Sequence, residues 1–104
     1  MKRIAFKMKL HAGMEDEYRR RHDSIWPELT ALLKKSGMED YSIFLEEETH
    51  TLFAVLKVRN EISMNELPKQ AIMKQWWSYM KDMMECNPDH SPVSIPLKEI
   101  FYLP

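Results

Sequence analysis

His22 is the side chain of this sequence best suited to moving a proton near neutral pH. Imidazole ionises at about pH 6.5, and modest changes of surroundings tune it as acid or base. His22 follows Tyr18 by four positions and precedes Ile25 by three, so in a helix it shares the face of the apolar stripe. It also lies just ahead of Pro27, which must interrupt that helix. Histidines in such settings are often hydrogen-bonded core residues, and spacing alone leaves both readings open. Trp76-Trp77 is the second feature. Neighbouring residues on a helix point about 100° apart, so at most one can sit at the centre of a core. The other faces a flank, where an indole presents an apolar face and an N–H donor. Sugars have that mixed character, although extra core bulk would explain the pair too. Tyr41, at the start of a strand-like segment, with Tyr79 and Tyr102, offers further hydroxyls as site donors or sheet-edge residues.

Other chemistries find no support. His11, His22, His50 and His90 show no metal-binding spacing, and Gly13 and Gly37 are too few for a phosphate-cradling loop. There is no nucleophile elbow. Cys86 is alone, so no internal disulfide forms, and it reads as a structural or surface thiol. With 15 basic and 16 acidic residues and a net charge of −1, the chain lacks the concentrated positive field of a nucleic-acid binder. Arg19-Arg20-Arg21 reads as a solvated helix flank. The N-terminus has no signal-like apolar run and no segment is long and apolar enough for a membrane span; a cytoplasmic protein without nucleic-acid or membrane partners is expected. What remains is acid–base chemistry with no cofactor and no metal, or plain binding.

The elements that must position these residues follow from periodicity. The 104 residues are one domain's worth. Residues 2–10 alternate, with Ile4, Phe6, Met8 and Leu10 on one face, as a half-buried strand does. After Gly13, the acids Glu15, Asp16 and Glu17 suit a helix first turn. Tyr18, Ile25, Trp26, Leu29, Leu32 and Leu33 recur at helical spacing, and Lys34, Lys35 and Gly37 close the segment. A kink or short break is expected near 22–26. Residues 40–46 and 52–59 predict a hairpin. Ser63-Met64-Asn65-Glu66 fits a capping box, opening a second helix that runs to about Met84 with a break at Pro68. Residues 87–92 are a loop, and 98–103 a last strand. The order β-α-β-β-α-β predicts an α+β, ferredoxin-like fold with a four-stranded antiparallel sheet. The middle strands are apolar on both faces, yet two helices cover only one. A second copy would cover the other, which predicts a homodimer packed sheet to sheet, a dimeric α/β barrel.

Several strings, in order over nearly the whole length, resemble the L-rhamnose mutarotase family. They are Tyr18-Arg19-Arg20-Arg21-His22 with Ile25-Trp26-Pro27-Glu28-Leu29, Tyr41-Ser42-Ile43-Phe44-Leu45, Gln75-Trp76-Trp77-Ser78-Tyr79-Met80, Asn87-Pro88-Asp89 with Ser91-Pro92, and Phe101-Tyr102-Leu103-Pro104. The resemblance implies a homodimeric, cytoplasmic, cofactor-free isomerase that interconverts α- and β-L-rhamnose. It implies His22 as proton donor and Tyr18, Tyr41, Trp76 and Trp77 as sugar contacts. A cofactor-independent monooxygenase of the same dimeric barrel type, and a non-catalytic binding module for a small sugar, are the competing expectations.

Overall fold

A computed structural model describes residues 1–104. The alternating N-terminal segment forms β1 (Lys2–Lys9), followed by α1 (Glu15–Asp23) and α2 (Pro27–Lys35). Three acids occupy the first turn of α1 and Arg20, Arg21 and His22 the last, matching both ends of the helix dipole. Pro27 takes the opening turn of α2, where its missing N–H is not needed. The expected break therefore falls at residues 24–26. Past α2, Gly37 adopts φ +86, and a Cβ there would meet Arg59 Cβ at 3.1 Å, so glycine ends the helix on two counts.

The hairpin is β2 (Met38–Glu46) with β3 (Thr51–Val58), and β4 is Ile95–Leu97. The sheet order is β2-β3-β1-β4, with every neighbour antiparallel. This is the expected ferredoxin-like α+β architecture. Leu52, Ala54, Leu56 and Val58 of β3 point to the helices and are buried with Met8, Leu10, Leu29, Met73, Trp76, Met80, Met83 and Met84.

Three expectations need correction. The helix after β3 is not capped at Ser63. Asn60 lies three residues earlier and its Oδ1 accepts from the Ile62 and Ser63 N–H groups at 2.9 and 3.4 Å. The resulting α3 (Glu61–Asn65) is short because Pro68 cannot continue it. A 3-10 turn (Leu67–Lys69) leads into α4 (Ala71–Met80), and a second (Lys81–Met83) ends the helix ahead of Met84, whose backbone is extended and bridges to Leu10. The last strand is not 98–103 but 95–97, pairing Leu97 with Ala5 and Ile95 with Lys7. Pairing stops at Leu97, although the same register would set Lys98, Glu99 and Ile100 opposite Ile4, Arg3 and Lys2 of β1. The tail is held through Arg3, which makes two hydrogen bonds to Glu99 at 2.9 and 3.0 Å and lies 3.1 Å from the Tyr102 ring centroid. Finally, only Arg19 and Arg20 form a solvated flank; the Arg21 side chain is 12% exposed.

Candidate active site

The break between α1 and α2 leaves His22 near the C-terminal end of α1, facing the sheet. Its Nδ1 is 3.0 Å from the Tyr18 carbonyl oxygen. A carbonyl only accepts, so Nδ1 carries the hydrogen and the neutral ring keeps its lone pair on Nε2. The ring is tilted against Tyr18 with centroids 4.3 Å apart and meets Trp76 edge-on at 5.5 Å. Trp26 in turn meets Trp76 edge-on at 5.1 Å and stacks on Tyr79 at 5.5 Å. The imidazole is thus fixed by one hydrogen bond and two aromatic neighbours. Burial lowers its pKa below the usual 6.5, opposed by the Tyr18 hydrogen bond and the nearby charge of Asp23.

Arg21 holds α1 against the end of α4. Its guanidinium donates to Glu17 at 2.7 Å, to both Asp82 oxygens at 2.9 and 3.2 Å and to the Tyr79 carbonyl at 2.5 Å. Bidentate guanidinium–carboxylate geometry is directional, so this clamp fixes the rotation of α1 that turns Tyr18 and His22 inward.

A cleft of about 1390 Å³ opens between the helices and the sheet, and Tyr18, His22, Tyr41, Trp76 and Trp77 all line it. The structure brings these five together from α1, β2 and α4. Trp76 is buried in the core while Trp77 is half-buried, the division that their angular offset demands. Burial raises the Tyr18 phenol above its ordinary range, with Tyr41 pushing it the same way, and raises Tyr41 to about 12. Tyr41 is 39% exposed as a residue and lines the cleft. Both hydroxyls stay neutral near pH 7 and can donate or accept hydrogen bonds. Tyr79 and Tyr102 lie outside the cleft: the first stacks on Trp26 beneath Arg21, and the second sits beside Arg3. No three His, Cys, Asp or Glu side chains are grouped to hold a metal ion.

The model of the L-rhamnose mutarotase family matches residues 3–103. The chain belongs to the L-rhamnose mutarotase family. It is 53% identical over 103 residues to the L-rhamnose mutarotase of Formosa agariphila, covering 99% of both chains. It is 55% identical over 102 residues to that of Brucella anthropi, covering 98% of this chain and 96% of the relative. The crystal structure of the Formosa agariphila L-rhamnose mutarotase superposes with a TM-score of 0.94 at 52% identity, covering 100% of both chains. A Mycobacterium tuberculosis protein with a TM-score of 0.61 and 10% identity, covering 96% of this chain and 95% of that one, shares the fold alone.

In this mutarotase-family chain the cleft has a further wall that function-directed reading of the sequence left without a role. Asn87, Asp89 and Ser91 line it from the loop after α4. Asp89 Oδ1 accepts from Ser91 N and Oγ, and Asn87 Nδ2 donates to Ser91 Oγ and the Pro92 carbonyl. His90 Nδ1 and Ser78 Oγ are 3.0 Å apart, tying the loop to α4. The signal available was composition: alternating Asn, Asp, Ser and Pro marks a hydrogen-bonded turn, but not what the turn faces.

Proposed function

We propose that this chain is an L-rhamnose mutarotase, an isomerase that interconverts the α and β anomers of the sugar in rhamnose metabolism. The observation that carries the reading is the fixed imidazole: His22 held at Nδ1 by the Tyr18 carbonyl, on a cleft shared with Tyr18, Tyr41, Trp76 and Trp77, in a chain of this family.

The chemistry asks little more than that. Ring opening moves one proton from the anomeric oxygen O1 to the ring oxygen O5 while the C1–O5 bond breaks and C1=O1 forms. Both oxygens are bonded to C1, so one nitrogen can serve both. His22, mostly neutral near pH 7 because burial lowers its pKa, takes the O1 proton on Nε2. The resulting imidazolium donates that proton to O5 as the C1–O5 electron pair leaves. The aldehyde turns about C1–C2, and the same steps reversed close the ring on the other face. The histidine ends as it began, and no metal or redox cofactor is required. Positioned acid–base catalysis of this kind contributes roughly 10²–10⁴-fold. The neutral Tyr18 and Tyr41 hydroxyls bind sugar hydroxyls. The indoles give the apolar face of the deoxy sugar a surface to rest on, Trp77 by exposure and Trp76 chiefly by supporting His22.

The protein works as a cytoplasmic homodimer in this reading. The sheet face away from the helices carries Phe44, Phe53, Val55, Ile95 and Leu97, and Phe44 is 61% exposed. The tail adds Ile100, Phe101 and Leu103, the first 83% exposed. Lys7 stands between Phe53 and Ile95, but an exposed apolar group of this size is unusual on a monomer, and a second sheet would cover it. No helix is long and apolar enough to cross a membrane.

Saturation-transfer NMR tests the activity. Irradiating the α-anomeric proton of L-rhamnose in the presence of the protein should attenuate the β-anomeric signal. Attenuation no greater than in buffer would overturn the assignment.

A further inference from the structure

Tyr41 reaches the cleft through an irregularity in the sheet. Met38 pairs with Val58 and Glu39 with Lys57, but the next pair is Ser42 with Val55. Three residues of β2 are thus passed while β3 passes two, and Asp40 and Tyr41 together oppose Leu56. That is a β-bulge, which bends a strand and re-aims its side chains. The effect on facing is decisive. Met38 points to the helices and is buried. Strict alternation would put Asp40 on that side, Tyr41 on the open face and Ser42 back on the helix side. The extra residue reverses the order: Ser42 pairs with Val55 on the open face, while Ile43, opposite Ala54, and Tyr41 line the cleft. Asp40 takes up the irregularity, with φ +50 in the left-handed region. Aspartate tolerates that conformation far better than a β-branched residue, and glycine tolerates it best. Asp40 stands at the margin of the cleft, where its carboxylate lies 3.3 Å from Lys57 Nζ in a solvent-exposed pair that gives its charge a partner.

We infer that Asp40 is a positioning residue: by accepting a left-handed backbone it sets the bulge that turns the Tyr41 hydroxyl into the sugar cleft. The inference deepens the proposed function and rests on Tyr41 contacting the sugar. It predicts that backbone tolerance, and not charge, is what position 40 must supply.

The experiment is a substitution series at 40 and 41 in the full chain, read as KM and kcat for anomer exchange of L-rhamnose with a melting curve for each variant. Tyr41→Phe removes one hydrogen bond to the sugar and should raise KM about tenfold. Asp40→Val, which penalises the left-handed backbone, should raise KM by a similar factor, and the double variant Asp40→Val/Tyr41→Phe should be no worse than Asp40→Val alone. Asp40→Asn and Asp40→Gly, which keep the backbone and remove the charge, should retain the parental KM. The pH dependence of kcat should be the same throughout, because His22 is untouched. If Asp40→Val does not fold, Asp40→Ala replaces it: its left-handed penalty is smaller but still exceeds that of aspartate or glycine, so KM should rise by a smaller factor. A folded Asp40→Val or Asp40→Ala variant with parental KM, beside a Tyr41→Phe variant that is impaired, overturns the positioning role and leaves the Tyr41 contact standing. The same holds if the two effects multiply in the double variant, or if Asp40→Asn is as impaired as Asp40→Val. A parental KM in Tyr41→Phe overturns the contact itself, and the inference with it.

Discussion

Ala54 and Val55 are neighbours on β3 and face opposite ways. Ala54 has 0% of its surface exposed and Val55 has 40%. The side of Ala54 carries both the core and the cleft, closed by α1, α2 and α4 from the same chain. The side of Val55 is mixed: Phe44, Phe53, Ile95 and Leu97 are apolar, Arg3, Lys7 and Lys57 stand among them, and no helix of the chain covers it. The residues of β1 distinguish the two faces, with Ile4, Phe6 and Met8 on the covered one and Arg3, Lys7 and Lys9 on the open one. The helices of the chain form a single layer and serve only one side of the four-stranded sheet.

A pair of charge insertions breaks this comparison most sharply. Ala54→Glu buries an unpaired carboxylate in a packed interior and should abolish folding, because such a charge costs more than a small domain's margin of stability. Val55→Glu should leave the circular dichroism spectrum and the monomer fold intact while converting a dimer to a monomer in analytical ultracentrifugation. Phe53→Glu should act in the same way. A parent that sediments as a monomer at micromolar concentration would overturn the dimer.

The two tryptophans repeat the contrast within one helix. Trp76 is 6% exposed and central to the aromatic cluster, so Trp76→Ala should cost about 3–5 kcal/mol of stability. Trp77, half-buried at the cleft, should lose less stability on truncation and more sugar affinity. Thermal melts beside L-rhamnose titrations check the order; equal melting losses would mean that the two indoles are equivalent core.

A smaller effect concerns pH. The folded chain lowers the His22 pKa below 6.5, so folding favours the neutral ring. The stability this contributes is complete above the unfolded value of about 6.5 and is lost as pH falls through the lower folded value. Relative to His22→Asn, the parent should therefore lose melting temperature between about pH 7.5 and pH 5, measured by scanning at several pH values in one buffer series. A constant difference across that range would mean that burial does not perturb the group.

The element order and the helix break ahead of Pro27 were legible because each rests on a strong local signal, alternation and a proline. His22 and the Trp76-Trp77 pair stood out by type and spacing with a core reading left open, and Tyr18 and Tyr41 were implied as sugar contacts only by the family resemblance. The bulge at Asp40 was not legible. The residues from Tyr41 to Leu45 alternate correctly among themselves, and the phase change lies one residue before them, where it is visible only against β3. The last strand was placed three residues late because the tail alternates better than Ile95-Pro96-Leu97 does. A proline is tolerated at a sheet edge, so Pro96 can sit in β4 opposite Phe6. The Asn87–Pro92 loop read as a turn, but its approach to the cleft depends on the Ser78–His90 contact, which no local pattern encodes.

His22 is where the account is most exposed. Asparagine keeps a polar group of similar reach but cannot shuttle a proton, so folded His22→Asn should bind L-rhamnose within a few-fold of the parent. Its anomer exchange, measured by saturation transfer at several pH values, should fall by roughly 10²-fold or more, and the bend in rate below pH 7 should vanish. Near-parental exchange in that folded variant would contradict the mechanism and remove His22 from it.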